Sequence, residues 1–206
     1  MTGFVKKQSD FDEAIAEINR RGWPLHKWNH YKNWDSVWLD YIMRDGDMLD
    51  IGCVTSMPLF IANHLGLKGR KVGIDLADSF NYLVDTTPWE RPQPAELLVG
   101  KAESLPFAND SFVNLACLSV VEHGVDLDLF AQEAARVLCR GGRFVVTFDF
   151  WPWPKPEYDI LIWSDLIHLT DRLVKHGFSL EEIDCSLMDK TIDGLFTFGC
   201  VRGFKM

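Results

Sequence analysis

The sequence predicts a single α/β domain centred on a parallel sheet. Three observations predict it: a strand, turn, helix and strand in succession near residue 50, a further alternation of apolar runs with amphipathic stretches, and a length that suits one core. With 206 residues and 47% hydrophobic content, one compact domain buries a sizeable core and a second is not expected. Asp45-Gly46 is a turn signal, and Met48-Leu49-Asp50-Ile51-Gly52 is a short apolar run ending in glycine, the pattern of a buried strand that leaves through a tight turn. Leu59, Phe60, Ala62, Asn63 and Leu65 follow as a helix ended by Gly66 or Gly69, and Lys71-Val72-Gly73-Ile74-Asp75 is a second buried strand. Such a βαβ unit almost always has a right-handed crossover and parallel strands.

The flanking segments follow the same logic. Phe11, Ala14, Ile15 and Ile18 recur at helical spacing, as do Trp34, Val37, Trp38 and Tyr41, so residues 1–44 are expected to be mostly helical and to form a partial lid over a core at 45–206. Prolines at 88, 92 and 94 make residues 87–94 a loop. Strands are expected at 96–99, 112–118 and 143–148, with a helix at 127–138 capped near Gly141-Gly142. A second proline-rich loop occupies 151–156, a helix 164–175 ends at Gly177, and strand-like runs at 181–185 and 195–201 close the chain.

Charge narrows the partners. The net charge of −9, from 21 basic against 30 acidic residues, would repel a phosphate backbone, so nucleic acid is not expected as a partner. Cys53, Cys117, Cys139, Cys185 and Cys200 are widely spaced with no C-x-x-C pair and read as reduced thiols. No run approaches a transmembrane helix, and residues 1–10 are polar where a signal peptide needs an apolar stretch; the expectation is a cytoplasmic protein without a membrane partner.

In open parallel sheets, ligands bind beyond the carboxyl ends of the strands. Four segments sit at such ends: Leu49-Asp50-Ile51-Gly52-Cys53; Val72-Gly73-Ile74-Asp75; Gly100-Lys101-Ala102-Glu103-Ser104-Leu105-Pro106-Phe107 with Asn109-Asp110-Ser111-Phe112; and Val121-Glu122-His123 with the run from Glu133 to Gly142. In order and spacing they resemble the motifs of class I S-adenosylmethionine-dependent methyltransferases, and the third and fourth are similar to the subgroup that includes ubiquinone and menaquinone methyltransferases. The resemblance implies a three-layer Rossmann-like fold, a mostly parallel sheet with an antiparallel last strand at 195–201, S-adenosylmethionine as cofactor, and methyl transfer to a small-molecule acceptor. It also implies cofactor contacts at Asp50, Gly52 and Cys53 in the first turn, Asp75 and Leu76 after the second strand, Ala102 and Glu103 beside the adenine, and Ser119 after the fourth strand. The chemistry agrees: a glycine turn admits close backbone approach, and a carboxylate accepts both ribose hydroxyl protons. Neither the acceptor nor the oligomeric state is written in these motifs.

Three positions depart from the pattern. Val54 and Ser56 replace the second and third glycines of the first motif, and Lys101 replaces an aspartate that accepts from the adenine amine; lysine only donates, which shifts that role to Ala102 and Glu103. These departures keep a cofactor-binding module without turnover as an alternative. A nicotinamide oxidoreductase is disfavoured because no G-x-G-x-x-G follows the first strand.

For catalysis, Glu122 and His123 follow the fourth strand on the expected acceptor side, and histidine suits proton transfer near neutral pH. A structural hydrogen bond at a helix start is the competing role for His123. Glu133 and Arg136, spaced i, i+3, read as a structural ion pair. Trp34, Trp38 and Tyr41 read as core, whereas Trp28, His30 and Tyr31 before them and Trp151 and Trp153 after the fifth strand are candidate substrate contacts. His26 and His30 lack a third ligand, so no metal site is expected.

Overall fold

The computed structural model of the chain describes residues 4–5, 9–26, 31–53, 57–76, 95–151, 159–182 and 197–206. In chain order the elements are α1 (Ser9–Arg20), α2 (Lys32–Val37) continuing into a 3-10 turn (Trp38–Tyr41), β1 (Met48–Ile51), α3 (Met57–His64), β2 (Lys71–Asp75), β3 (Glu96–Val99), β4 (Phe112–Leu118), α4 (Leu127–Val137), β5 (Leu138–Phe150), α5 (Trp163–Lys175), β6 (Phe178–Leu180) and β7 (Thr197–Lys205). They form a seven-stranded sheet in the order β3-β2-β1-β4-β5-β7-β6. The first five strands are parallel, and β7 runs antiparallel to both β5 and β6. The fold is thus the α/β class expected, with the antiparallel final strand.

A period of two sorts the side chains of the central strands between two helical layers. Leu49, Ile51, Leu115, Cys117, Val146 and Phe148 belong to one core, with Phe130, Ala131 and Ala134 of α4 and Leu166, Leu169 and Leu173 of α5. Met48, Ala116 and Val145 belong to the other, with Phe11, Ala14 and Ile18 of α1, Trp34 and Val37 of α2, and Leu59, Ile61 and Ala62 of α3. Trp34 and Trp38 meet edge to face at 5.5 Å inside this second layer, so the aromatic stripe is core. Among the described residues, no helix is long and apolar enough to cross a membrane.

Two boundaries differ from expectation. The helix does not reach a cap at Gly141-Gly142: Leu138 is already extended, at φ −82 and ψ 132, and pairs with Phe112 on β4. The register is irregular from there to the Asn114–Arg143 pair, and Gly141, at φ +72, serves this bulge. The strand expected at 181–185 lies earlier, because Phe178 is buried and Phe178, Ser179 and Leu180 pair with Lys205, Phe204 and Gly203. Residues 183–185 and the loop at 87–94 lie outside the described residues.

The expected Glu133–Arg136 pair also fixes the loop after β3. Arg136 donates from Nε to Glu133 at 2.6 Å and, through its Nη atoms, to the carbonyls of Phe107 at 2.6 Å and Leu105 at 2.8 Å, while Glu133 Oε2 accepts the Leu105 N–H at 2.7 Å. The hydrogen bond from Arg136 holds the Glu133 carboxyl below its usual 4.5. A depressed carboxyl stabilises the fold above its unfolded-state value and loses that contribution as pH falls through the folded-state value. Glu133→Gln is therefore expected to lower unfolding free energy by about 1–2 kcal/mol at pH 7, the range for part-exposed charge-assisted bonds. In urea titrations repeated at successively lower pH, the gap between variant and parent should narrow once the pH falls below 4.5.

Candidate active site

The chain winds outward from β1 through β2 to β3, then returns to place β4 on the other edge of β1. Neighbouring loops must diverge where winding reverses, and a crevice opens beyond the carboxyl ends. A cavity of about 660 Å³ lies there, walled by Asp50, Gly52, Asp75, Leu76, Lys101, Ala102, Glu103, Ser119, Val120 and His123 of the sheet side and by His26, Lys32, Asp35 and Ser36 of the N-terminal segment. Its volume is that of a small-molecule site, about 300–1,000 Å³.

Gly52 makes the turn after β1. Its φ is +79, and a Cβ there would stand 2.1 Å from Val120 Cγ2. Its N–H donates to the Ile74 carbonyl at 2.8 Å, which ties the exits of β1 and β2. Asp75 closes β2 on the cavity wall, with Oδ1 accepting the Leu76 N–H at 2.7 Å. Beyond β3, Lys101 and Ser104 bridge in a tight turn that puts Ala102 and Glu103 on the wall, and Glu103 Oε1 accepts the Asp126 N–H at 3.3 Å at the start of α4. Ser119, at the exit of β4, has φ +52, a conformation that strains a residue with a Cβ and clusters at functional sites.

Opposite this wall, α2 contributes a buried polar group. Lys32 Nζ donates to Ser119 Oγ and pairs with Asp35 Oδ2 at 3.4 Å, and the Ser119 hydroxyl donates to Asp35 Oδ2 at 3.2 Å. Asp35 is 1% exposed. Behind Ser119, Glu122 is 5% exposed and its Oε1 accepts the Asp149 N–H at 3.0 Å. Four oxygens here, Asp35 Oδ1, Glu122 Oε2, Thr147 Oγ1 and Asp149 Oδ1, are sealed from solvent without a hydrogen-bond partner among the described residues. Burial pulls the Lys32 ammonium down, but Asp35, Asp149 and Glu122 outweigh it and hold the group above its usual value. Burial and the neighbouring Asp149 push Glu122 up to about 8.

The other expected positions are distributed unevenly. His123 lies on the cavity wall, with Nδ1 3.2 Å from Asp159 Oδ2 and more than half its side chain exposed. Glu122 does not line the cavity. Nor does Cys53, whose side chain is buried against Gly73, where an added Cβ would meet Cys53 Sγ at 2.7 Å. Burial pushes the Cys53 thiol up, as it does those of the equally buried Cys117 and Cys200. Tyr31 packs edge to face on Phe11 at 4.7 Å and stacks on Phe198, away from the cavity wall. Trp151 is half-buried and is not on that wall. Trp28, His30, Trp153, Val54 and Ser56 lie outside the described residues.

Sequence reasoning missed Lys32, Asp35 and Asp149. Asp149 was reachable by the rule that found Asp75, since it stands near the carboxyl end of β5. Lys32 and Asp35 have i, i+3 spacing, a usable sign of an ion pair, but they interleave with an aromatic stripe that reads as core.

The Glu122 environment has a consequence for stability. A carboxyl raised from 4.5 to about 8 binds a proton more tightly when folded, so its contribution is present below its unfolded-state value and is lost as pH rises through that window. Glu122→Gln keeps the acceptor oxygen and has no charge to desolvate. Each tenfold difference in proton affinity between folded and unfolded chains is worth about 1.4 kcal/mol. The variant is therefore expected to match the parent near pH 4 and to exceed it at pH 9 by roughly a few kcal/mol, as read from urea midpoints across pH.

Comparison with known proteins fits this geometry. Residues 49–146 match a family model described as a methyltransferase domain. The chain is 33% identical over 113 residues to the biotin biosynthesis bifunctional protein BioHC of Cellvibrio japonicus, covering 53% of this chain and 21% of that protein. It is 28% identical over 110 residues to the uncharacterized methyltransferase YcgJ of Bacillus subtilis, covering 51% and 41%. The chain thus spans less than half the length of these curated relatives. The crystal structure of YcgJ superposes with a TM-score of 0.64 at 14% identity, covering 83% of this chain and 97% of that one. Geranyl diphosphate C-methyltransferase from Streptomyces coelicolor A3(2), in complex with Mg2+, geranyl diphosphate and S-adenosyl-L-homocysteine, superposes with a TM-score of 0.63 at 14% identity, covering 97% and 86%. Residues 49–146 thus match the methyltransferase-domain model, and the seven-stranded sheet shares the Rossmann-like fold of these solved structures.

Proposed function

We propose that the chain transfers a methyl group from S-adenosylmethionine to a small-molecule acceptor, leaving S-adenosylhomocysteine. The observation that carries this reading is the convergence of Gly52, Asp75 and Glu103 on one cavity at the winding reversal of the sheet. Those residues fit the cofactor. Val120 fills the space that a Cβ would take at Gly52, so the turn meets the cavity with backbone alone, Asp75 supplies a carboxylate for the ribose hydroxyls, and Leu76 and Ala102 give apolar surface beside Glu103 for the adenine. When bound, the cofactor supplies a sulfonium-activated, electrophilic methyl group.

The protein's share is then to hold, orient and dehydrate. Lys32, Asp35 and Ser36 of α2 cover the cavity from the N-terminal side, which supports the lid role for residues 1–44. His123, braced on Asp159 through Nδ1, lines the cavity and holds the acceptor there. The motif resemblance to ubiquinone and menaquinone methyltransferases supports a small acceptor. A binding module without turnover is the second reading, favoured by Lys101, which lines the cavity in place of the usual acceptor.

Calorimetric titration tests the cofactor site: S-adenosylmethionine and S-adenosylhomocysteine should bind and NAD should not. Hydrogen bonds to a charged group are worth about 1.5–3 kcal/mol, so Asp75→Ala is expected to weaken both ligands by roughly ten- to a hundredfold. Glu96→Ala, at an exposed position off the cavity wall, should change affinity by less than about threefold. Equal losses in the two variants would remove Asp75 as the ribose ligand.

A further inference from the structure

We propose that Lys32 of α2, on the cavity wall against Ser119, takes the carboxylate at the amino-acid end of the cofactor. The N-terminal segment then recognises the part of the ligand farthest from the adenine. This rests on the cofactor reading above and adds a contact that none of the motif positions supplies.

The wall residues follow the order of the strands. Lys101, Ala102 and Glu103 come after β3, Asp75 and Leu76 at the end of β2, Gly52 after β1, and Ser119 and Val120 after β4, while β3-β2-β1-β4 is the order within the sheet. Neighbouring strands lie about 4.8 Å apart, so the wall from Asp75 to Ser119 spans two spacings, roughly 10 Å. With the adenine beside Glu103 and the ribose on Asp75, the rest of the cofactor runs across Gly52 toward Ser119. That remainder is a sulfur and an amino-acid tail, long enough with a hydrogen bond at its end to cover the span.

Lys32 stands where the tail arrives. It lines the cavity, and its Nζ donates to Ser119 Oγ, on the same wall, and pairs with Asp35 Oδ2 at 3.4 Å. An ammonium carries three N–H donors. Those two contacts leave one donor without a partner among the described residues, on a side chain that keeps 28% of its surface exposed.

The other cationic side chains of the wall are less suited. Lys101 stands beyond β3, at the adenine end. His26 and His123 are imidazoles, which carry a charge only when protonated, and His123 is already engaged by Asp159. Lys32 is charged throughout the neutral range, because the carboxyl groups around it outweigh its burial. Those carboxyl groups would repel a simple anion, but the tail is a zwitterion whose ammonium sits on the same carbon as its carboxylate. Glu122, moreover, is pushed up to about 8 and is mostly protonated at pH 7.

Calorimetry with S-adenosylhomocysteine and its decarboxylated form, which keeps the amine and lacks the carboxylate, isolates the contact. At pH 7 the parent chain should bind the decarboxylated form roughly ten- to a hundredfold more weakly, the worth of a charge-assisted hydrogen bond. Lys32→Met should weaken S-adenosylhomocysteine by a similar factor and the decarboxylated form by no more than about threefold, since the two changes remove the same interaction. Asp75→Ala, by contrast, should weaken both forms alike. Should Lys32→Met fail to fold because it leaves Asp35 buried and unpaired, Lys32→Met combined with Asp35→Asn carries the same expectation. Equal affinity of the parent for the two forms overturns the proposal with no variant needed. So does a loss in folded Lys32→Met that falls equally on both forms, which would make Lys32 a prop for the wall. Failure of the parent to bind S-adenosylhomocysteine at all removes the cofactor reading itself, and the proposal with it.

Discussion

β1 pairs with β2 on one edge and with β4 on the other, all three running the same way. That pairing requires the chain to reverse its winding, and reversal separates the loops that would otherwise meet above the strands. Gly52 decides how narrow the resulting crevice is: any larger residue would strike Val120 and drive the exits of β1 and β4 apart. The wall residues descend from this arrangement. Asp75 reaches the cavity because β2 is in register with β1, and Ser119 because β4 is.

Electrostatics then separates the two sides of the cavity. The sheet side is held by backbone geometry, whereas on the side of α2 the apolar packing of Trp34 and Val37 is joined by the Lys32 ammonium, which bonds to Ser119 across 87 residues of sequence. Burying such a group is expensive, and well-packed apolar side chains often serve stability as well or better. A cluster with one cation, three carboxyl groups and, among the described residues, four oxygens without partners is therefore a poor device for folding. Two of its members, Lys32 and Asp35, line the cavity, so its cost falls at the site and not in the scaffold.

Much of this was legible in the sequence, and for identifiable reasons. The Asp50–Gly52 turn, the Asp75 strand end and the Glu103 loop are local patterns, in which spacing along the chain and position in space coincide. The Glu133–Arg136 pair was legible because a helix fixes its i, i+3 geometry. Lys32 and Asp35 were not, because their partners come from β4 and β5, and no local pattern reports a contact between segments so far apart. The bulge at Gly141 was hidden differently: a glycine pair after a helix suits a cap as well as an irregular strand, and only the early pairing of Leu138 with Phe112 decides. Tyr31 shows the converse, an aromatic in a plausible gating place that Phe11 and Phe198 draw into the core.

Cys53 lies under the first turn, pressed on Gly73, while Cys117 and Cys200 are sealed within β4 and β7. A buried thiol whose thiolate is suppressed does not react from the native state; it reacts when its surroundings open. These three sulfurs consequently act as built-in clocks for breathing motions. Alkylation of Cys53 times the opening of the cavity-facing turn, and alkylation of Cys117 and Cys200 times the separation of the sheet from its two helical layers. A bound ligand that braces the turn would slow the first of these without needing to slow the others.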